Sequence, residues 1–383
     1  MKEAYLIADN IISSLGFNTA ENIAAIEKQN SGILLFEKTD LSDNPFYASI
    51  IDTEKLNCEF EKITTRIDFT RFEKLCILSI TGALKNINID LNADDTLLIL
   101  STTKGNVDLL NENCCPEISR ERMFLWKAAK HIQDFLKFKN TPLVVSNACI
   151  SGVVGIITAA RLIENGKYKN IIVCGADILT KFVVSGFQSF LALSSLPCKP
   201  FDINRSGLTL GEGSGTIILS CESNNNIENI VYSGGAITND ANHISGPSRT
   251  GEGLYIAIKK SIAQSKNKTN KEIGFISVHG TATPFNDEME AIAINRMHFS
   301  EIPLVGLKGY FGHTLGAAGV IESIAAINSI RAGKLHATIG FENSGVTVPV
   351  IVNSVTIEKE ISSCIKVASG FGGCNAAAIF SKK

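Results

Sequence analysis

The stretch VVSNACISG at residues 144–152 joins an apolar, β-branched run to the start of a helical pattern. The run is typical of a buried strand, and apolar side chains recur at helical spacing over residues 153–163. Cys149 therefore falls at a strand-to-helix corner, where unpaired N–H groups and the positive end of the helix dipole favour a thiolate. Because the thiolate is the nucleophilic form, Cys149 is a candidate nucleophile; a buried cysteine that packs as a small hydrophobe is the alternative.

The composition limits the class of protein. The chain has 383 residues, of which 45% are hydrophobic and 19% charged, so it can form two or three structural units or one large duplicated fold. Its 36 Lys and Arg nearly cancel its 38 Asp and Glu. This balance gives no support for binding to nucleic acid or to a membrane surface.

The cysteines and the uncharged segments indicate where the protein resides. The ten cysteines are scattered without a C-x-x-C pair or a zinc-type cluster, which is typical of free thiols in a reducing compartment. The N-terminus lacks the long apolar segment of a signal peptide. Residues 141–160 carry no charge, but their pattern changes from strand to helix, so a buried strand and helix explain them better than a bilayer span. We expect a cytoplasmic protein without a bound metal.

Apolar β-branched runs alternate with helical patterns along the chain, which is typical of an α/β protein with mostly central strands. The predicted strands are residues 96–101, 143–146, 171–174, 215–220, 273–279, 303–307, 348–352 and 365–369. The predicted helices are residues 71–84, 121–136, 152–164, 253–264, 286–295 and 317–331.

The two halves of the chain follow a similar order. A strand, a corner with Cys149 and a small-residue helix in the first half correspond to a strand, a corner with His313 and a small-residue helix in the second. The polar stretch 222–228 is the predicted joint, which divides the chain into residues 1–222 and 223–383. A duplicated fold would bring Cys149 and His313 together at the ends of two pseudo-symmetric helices; a chance likeness between two α/β units is the alternative.

Two histidines and a glycine-rich turn provide further candidate residues. His279 begins the post-strand loop HGTATP at residues 279–284, in which Thr281 and Thr283 offer hydroxyls to the amide groups of a linear ligand. His313 lies in KGYFGHTLGAAG at residues 308–319, where four glycines allow close backbone approach. The turn SGFGGCN at residues 369–375 is weak evidence alone, because a C-terminal hairpin turn would look the same.

Taken together and in this order, the four segments resemble the β-ketoacyl-acyl-carrier-protein synthases, the elongating condensing enzymes of the thiolase fold. The resemblance covers nearly the whole chain and is strongest over residues 143–380. It implies an α/β, thiolase-like fold in which two pseudo-duplicated βαβαβαββ halves form a five-layered αβαβα sandwich. The first half carries Cys149, and the second carries His279 and His313.

The resemblance also implies the reaction, a decarboxylative Claisen condensation. Cys149 takes an acyl group from a carrier protein as a thioester, and His279 and His313 then polarise the malonyl thioester carbonyl and hold the enolate. Lys308 corresponds to the family's lysine before the second histidine, and Glu322 corresponds to its acidic partner. A thiolate is both a soft nucleophile and a good leaving group, and the departing carboxylate removes the need for a strong base.

The remaining correspondences concern binding. The N–H groups of Cys149 and Phe371 match the family's oxyanion hole, and Phe371 also matches its aromatic gate. The other matched positions are Thr281 and Thr283 for phosphopantetheine, Phe187 and Phe311 for the acyl group, and Asn375, Asp287 and Glu290 as supporting polar residues.

The expected partner is an acyl carrier protein, which brings phosphopantetheine with it, so no permanently bound cofactor is expected. The resemblance also implies a homodimer, or a heterodimer with another ketosynthase-like subunit. Arg66, Arg71 and Lys74 form a candidate basic docking patch, with an ordinary solvated face as the alternative.

Several positions depart from the family pattern. Asn147, Phe285 and Phe311 replace smaller residues, and Tyr310 is also bulky. These rings, with Phe371, predict an acyl pocket shaped by aromatic side chains. They favour a specialised synthase of polyene or other secondary-product assembly.

Two other functions remain open. One is a non-catalytic, chain-length-factor-like partner subunit, although such proteins typically lose the nucleophile that Cys149 retains. The other is a thiolase, whose second catalytic cysteine would be Cys374.

Overall fold

The computed structural model describes residues 2–37, 39–111, 116–224, 227–265 and 273–383. Part of the predicted joint at 222–228, namely residues 225 and 226, lies outside the described residues, as do Cys114 and Cys115.

The strands are β1 Tyr5–Ile12, β2 Leu34–Phe36, β3 Phe46–Ser49, β4 Thr96–Ser101, β5 Leu143–Val145, β6 Asn170–Asp177, β7 Leu210–Gly211, β8 Gly213–Ser220, β9 Ile230–Asn239, β10 Ile273–Ser277, β11 Leu304–Val305, β12 Lys334–Leu335, β13 Ile357–Glu358, β14 Ser363–Gly370 and β15 Cys374–Lys382. The helices are α1 Thr19–Glu27, α2 Thr53–Glu61, α3 Arg71–Leu84, α4 Leu125–Leu136, α5 Ser151–Glu164, α6 Lys181–Ser189, α7 Glu252–Gln264, α8 Pro284–Arg296, α9 Lys308–Phe311 and α10 Ala318–Ala332.

The main sheet repeats one strand order in each half of the chain. From the first edge inward the order is β5, β4, β6, β8 and β1, and from the other edge inward it is β11, β10, β14, β15 and β9. If only the main-sheet strands of each half are numbered, in chain order, then both halves have the spatial order third, second, fourth, fifth and first. The halves meet where Tyr5 of β1 pairs with Val231 of β9. This repeat confirms the duplicated thiolase-like fold, whereas the exact boundary between residues 222 and 223 stays a prediction.

Alternate faces of the strands pack into different layers. One core places α5 and α10 between the two halves of the sheet, and the strand residues that face it include Ile99, Val173 and Ala378. The opposite face of the first half packs on α2, α3 and α4. The opposite face of the second half packs on α7 and α8. These layers give the predicted five-layered αβαβα sandwich.

Glycines allow the two central helices to approach each other closely. A Cβ placed at Gly319 of α10 would lie 2.5 Å from the backbone nitrogen of Val153 in α5. A Cβ at Gly152 would lie 2.7 Å from the backbone nitrogen of Val320. Both distances are shorter than any side chain tolerates, so this crossing requires glycine on both helices.

The sequence prediction missed three long strands and included one segment that is not a strand. β1 contains Asp9 and Asn10, β9 contains two glycines, and β15 is rich in alanine, so none of them shows a β-branched run. The predicted strand at 348–352 contains Pro349 and makes only an isolated bridge from Val352 to Leu304. Proline has no N–H to donate to a ladder, which limits this segment to local pairing. Among the described helices, none has the length and apolar character needed to cross a membrane.

A glycine-to-alanine substitution at the crossing of α5 and α10 should have the opposite effect on stability to the same substitution in an uncrowded helix. Gly319→Ala should lower the free energy of unfolding by about 1–3 kcal/mol, because its methyl group meets the backbone of α5. Gly186→Ala in α6, which has nothing within 4 Å of the added methyl, should raise it by up to about 1 kcal/mol. Chemical denaturation of both variants measures the difference. A Gly319→Ala protein as stable as the wild type would contradict the close crossing.

Candidate active site

Cys149 lies in a sharp turn between β5 and α5. The preceding residue, Ala148, has a φ of +44°, which is a left-handed conformation uncommon outside glycine. The Ser151 hydroxyl stabilises the turn because it donates to the carbonyl of Ala148 at 2.6 Å and accepts from the N–H of Asn147 at 2.8 Å. The thiol is therefore held at the corner immediately before the first turn of α5.

His279 follows β10, and its loop is held by a buried carboxylate on α8. Glu290 accepts hydrogen bonds from the N–H groups of His279 and Gly280, both at 2.7 Å. Asn286 donates to the same carboxylate at 2.8 Å. Burial raises the pKa of Glu290 to about 7, and it raises the pKa of neighbouring Asp287 to about 6. Asp287 accepts from the N–H of Phe201 at 2.7 Å and so joins a second loop to α8.

His313 is positioned by backbone contacts shortly before α10. Its N–H donates to the carbonyl of Thr209 at 2.7 Å, and its carbonyl accepts from Gly211 at 3.0 Å. Three residues further on, the N–H of Gly316 donates to buried Asp177 at 2.7 Å. The His313 loop is thus fixed to β7 on one side and, through Asp177, to β6 on the other.

The structure brings Cys149, His279 and His313 together. The Cys149 sulfur and one nitrogen of each imidazole all lie within 4.8 Å of one another. The two imidazole rings meet edge to face, with centroids 5.1 Å apart and planes at 83°. All three side chains are buried, so the cluster is shielded from bulk water.

Behind His279 lies a buried chain of charges. Lys308 donates to the carbonyl of His279 at 2.6 Å and to Glu322 at 2.7 Å, and it lies 3.3 Å from His279 Nδ1. The other oxygen of Glu322 accepts from Lys366 at 2.5 Å. Lys308 and Glu322 were predicted from the sequence, whereas Lys366 was not, although a single charge within the apolar run of β14 was a visible signal.

These contacts determine the protonation of the cluster. Burial lowers the pKa values of His279 and His313 well below the ordinary range, and the charge of Lys308 lowers them further. Both imidazoles are therefore neutral. The ammonium of Lys308 can only donate hydrogen bonds, so His279 Nδ1 acts as the acceptor in this contact. The proton of the neutral His279 ring is therefore on Nε2, which can donate to a substrate.

The protonation state of the Cys149 thiol differs from the one expected from the sequence. Burial raises its pKa to about 12, and the opposing charges of Lys308 and Lys104 only partly offset this effect. In the free protein, desolvation therefore outweighs the stabilisation of the thiolate that was expected from the helix terminus. The thiol keeps its proton until a substrate arrives.

A cavity of about 510 Å³ opens onto the three residues. Thr281 and Thr283 line it with hydroxyls 2.9 Å apart. Asn375 also lines it and is oriented by Ser369, which donates to its side-chain oxygen at 2.7 Å. The structure thus places three of the predicted substrate-binding polar residues on the wall of one cavity.

Aromatic rings form another part of the cavity wall. Phe371 stacks on Phe187 with centroids 5.7 Å apart, and it meets Phe190 edge to face at 5.4 Å. A Cβ at Gly370 would lie 3.1 Å from the backbone nitrogen of Cys149, so the turn that carries Phe371 lies directly against the nucleophile corner. Phe190 was not identified from the sequence, because it belongs to no recognisable motif.

Two of the predicted pocket rings lie elsewhere. Tyr310 and Phe311 are fully buried in the core between the two halves, and neither is among the residues that line the cavity. The Tyr310 hydroxyl is satisfied by the carbonyl of Ala337 at 3.0 Å. Both rings therefore fill the space beside α10, whereas Phe285 is 78% exposed at the cavity mouth.

Two residues of the predicted basic docking patch pair with carboxylates. Arg66 makes two hydrogen bonds to Asp68, and Arg71 pairs with buried Glu212. Lys74 donates to Asn57 at 2.8 Å. Arg71 thus has a structural role, and the docking patch itself stays a prediction.

A thiol and two imidazoles are also ligand types for zinc. The ammonium groups of Lys308 and Lys366 lie close behind His279, however, and they oppose the binding of a divalent cation. The arrangement is better suited to stabilising negative charge on a bound substrate. The expectation that the site holds no metal stays a prediction.

The raised pKa of Cys149 predicts how the thiol of the free protein reacts. Its alkylation rate should rise about tenfold per pH unit between about pH 7 and pH 10, because only the thiolate reacts. Peptide mapping after iodoacetamide treatment measures this rate, with the peptide of exposed Cys58 as an internal reference for the reagent. A rate for Cys149 that reaches a plateau near neutral pH would contradict the neutral thiol.

Comparison with known families places the chain among condensing enzymes. The family model described as "Beta-ketoacyl synthase, N-terminal domain" matches residues 21–225, and the model for the C-terminal domain matches residues 230–342. Together the two models cover most of the chain and include Cys149, His279 and His313.

Individual relatives agree with the family models. A putative mitochondrial 3-oxoacyl-acyl-carrier-protein synthase of Schizosaccharomyces pombe is 29% identical over 81% of this chain and 81% of its own length. The 3-oxoacyl-acyl-carrier-protein synthase 2 of Synechocystis is 27% identical over 97% of this chain and 96% of its own length.

Solved structures show the same fold. A chain of the ketosynthase ApeO in complex with its chain length factor ApeC from Xenorhabdus doucetiae matches with a TM-score of 0.89 and 24% identity, over 100% of this chain and 98% of that one. The ishigamide ketosynthase/chain length factor matches with a TM-score of 0.86 and 22% identity, over 100% and 99%. From the two family models and the thiolase-like fold, we conclude that the chain belongs to the β-ketoacyl synthase family of acyltransferase-type condensing enzymes.

Proposed function

We propose that the protein is a β-ketoacyl-acyl-carrier-protein synthase that condenses a Cys149-bound acyl group with malonyl-acyl-carrier protein. The observation that carries the proposal is the cluster of one thiol and two neutral imidazoles within 4.8 Å at the base of a single cavity. This arrangement provides a nucleophile and two donors without a strong general base.

In the first step, the Cys149 sulfur attacks the thioester carbonyl of an acyl-carrier protein. The new carbon–sulfur bond forms as the bond to phosphopantetheine breaks, and the thiol proton leaves with the carrier's sulfur. The N–H groups of Cys149 and Phe371 face the developing oxyanion in this proposal, which is supported by the close packing of the Gly370 turn against Cys149. Charge is stabilised where it develops.

In the second step, a malonyl-carrier protein loses carbon dioxide. The bond between the methylene carbon and the carboxylate breaks, and its electron pair remains in the enolate of the thioester. His279 donates through Nε2–H to the enolate oxygen, and His313 provides the second donor. Neutral imidazoles suit this role because each keeps a proton to donate without adding a formal charge.

In the third step, the enolate carbon attacks the thioester carbon on Cys149. The carbon–sulfur bond breaks, and the sulfur leaves as a thiolate. Because the pKa of the Cys149 thiol is raised to about 12, the thiolate recovers a proton once the site reopens. The product is a 3-oxoacyl chain that remains on the incoming carrier protein.

The cavity wall suits the arm that delivers both substrates. Thr281 and Thr283 present hydroxyls to the amides of phosphopantetheine, and Asn375 supports the adjoining Gly-rich turn. The group arrives on the carrier protein and leaves with it, so it is substrate and not a resident cofactor. The matched neighbours include an acyl-carrier protein in complex with its ketosynthase, and we propose the same class of partner here.

The chain is proposed as the catalytic subunit of its assembly. Structural neighbours include ketosynthases in complex with a chain length factor, so this chain pairs either with itself or with such a subunit. A non-catalytic partner has no need for an assembled Cys149, His279 and His313. Thiolase chemistry keeps one supporting observation, because Cys374 also lines the cavity, with its sulfur 3.3 Å from the carbonyl of Phe371.

The histidines should be required for decarboxylation and less so for acylation. His279→Ala or His313→Ala should slow carbon dioxide release from malonyl-carrier protein by about two to three orders of magnitude, since each removes a transition-state donor. Cys149→Ala should abolish condensation while retaining some decarboxylation. Labelled carbon dioxide and the mass of the acylated protein measure the two activities separately.

The same experiment separates the alternatives. Full decarboxylase activity in both histidine variants would refute their assignment. An acyl adduct on Cys374 in place of Cys149 would favour thiolase-like chemistry. A wild-type protein that is neither acylated nor able to decarboxylate malonyl-carrier protein would identify a non-catalytic partner subunit.

We further propose that the pathway is a specialised one, of polyene or other secondary-product assembly. The support is the aromatic wall of Phe187, Phe190 and Phe371 beside the nucleophile. Flat, conjugated chains gain contact by stacking on such rings, and they lose little conformational freedom when they are bound.

The aromatic wall predicts a graded preference. Polyenoyl-carrier protein should acylate Cys149 faster than a saturated chain of equal length, by the equivalent of about 1–3 kcal/mol. Phe187→Leu should reduce this preference, whereas Phe182→Leu, an exposed position on the same helix that does not line the cavity, should leave it unchanged. Equal rates for both chains in the wild type would remove the support for a specialised pathway.

A further inference from the structure

Lys366 is an unexpected residue at the centre of the second half of the sheet. It lies on β14, between β10 and β15, and its side chain is fully buried. Burying an ammonium group is costly unless all its donors find acceptors. Lys366 donates to Glu322 at 2.5 Å, to the carbonyl of Val278 at 2.9 Å and to that of Ser277 at 3.3 Å. These three acceptors match the three N–H donors of the charged form.

The same pattern holds for Lys308. Its three acceptors are the carbonyl and Nδ1 of His279 and the first oxygen of Glu322. One carboxylate therefore lies between two ammonium groups, and the three side chains carry one net positive charge. Both lysines also bind the backbone that carries His279, because Ser277 and Val278 directly precede it.

We propose that Lys366 is a positioning residue for condensation, which fixes Glu322 and the His279 loop and supplies the excess positive charge behind the two imidazoles. The inference rests on the proposed function. Without Lys366 the charges of Lys308 and Glu322 cancel, and the negative charge that develops on the malonyl group meets two donors without a net positive field behind them.

The charges around the imidazoles are consistent with this role. His279 faces Lys308, Lys366 and His313, and each of these lowers its pKa in addition to burial. The charges of Lys308, Lys104 and Lys366 lower the pKa of His313 in addition to burial. Glu290 on α8 accepts a hydrogen bond from the N–H of His279 at 2.7 Å. Among the groups that shift the pKa of Cys149 most, Lys308 and Lys104 are present but Lys366 is not.

The sign of the expected pH effect follows from these contacts. A nearby positive charge disfavours the protonated imidazole, so removal of Lys366 raises the pKa values of His279 and His313 towards the ordinary histidine value. Each imidazole then protonates at a higher pH and loses the neutral form that the reaction uses. In a plot of decarboxylation rate against pH, the fall in rate towards low pH is the acid limb. This acid limb should move to higher pH.

The test uses the full-length protein and malonyl-carrier protein. Lys366→Met keeps a long side chain in the same space, and Glu322 retains Lys308 as a partner, so folding is expected to persist. We expect the acid limb to move up by about one pH unit and the rate below the limb to fall about tenfold. Acylation of Cys149 should continue at close to the wild-type rate, because the ammonium of Lys366 binds Glu322 and the backbone before His279 and not the thiol.

Two further variants separate electrostatics from structure. Lys359→Met removes a partly buried lysine that binds the carbonyl of Gly274 on β10, away from the carboxylate, and it should leave the acid limb where it is. Lys366→Met combined with Glu322→Gln restores one net positive charge. This pair should return the acid limb to the wild-type position, a rescue that a purely structural role does not predict.

The outcomes are distinct. A wild-type protein that releases no carbon dioxide rejects the proposed function itself. An active wild type whose acid limb is unchanged in Lys366→Met rejects this inference alone. If Lys366→Met does not fold, the charge-restored double variant decides: a wild-type acid limb supports the inference, and a limb shifted to higher pH overturns it.

Discussion

The rest of the structure depends on the close crossing of α5 and α10 between the two halves of the sheet. Gly152 and Gly319 allow the helices to approach until backbone meets backbone. Because each helix follows the third strand of its half, this one contact places the corner of Cys149 beside the loop of His313. His279 is then added from the end of β10 in the same half as His313. Duplication and helix packing together assemble the candidate active site.

Electrostatics in the site follow from burial. Desolvation holds the thiol and both imidazoles in their neutral forms, so the free protein carries no charged nucleophile into the cavity. Behind them, two ammonium groups share one carboxylate. The result is a neutral, water-shielded surface backed by positive charge, which suits a reaction whose negative charge moves from the malonyl carboxylate to the thioester oxygen when carbon dioxide leaves. Such preorganisation is a general source of catalytic power.

Much of this arrangement was predictable because local chemistry repeats in the sequence. The β-branched runs located β4 and β14, and the Gly-rich turns identified Cys149, His279 and His313. The strands β1, β9 and β15 were missed because they contain polar, glycine or alanine residues, which have low strand propensity. Phe311 and Tyr310 were assigned to the pocket from proximity in sequence, but both rings are buried in the core and neither lines the cavity. Lys366 was visible as a single charge in an apolar run, but its contact with Glu322, 44 residues away, could not be predicted from the sequence.

The most direct test of the account is the condensation product itself. The full-length protein would be incubated with an acyl-carrier protein and with malonyl-carrier protein labelled in its free carboxylate, and the carrier-bound products would be analysed by mass spectrometry. We expect a 3-oxoacyl chain longer by two carbons, with one labelled carbon dioxide released for each chain formed and no label in the product. Label retained in the product, or chain transfer without carbon dioxide release, would contradict decarboxylative condensation at Cys149, His279 and His313.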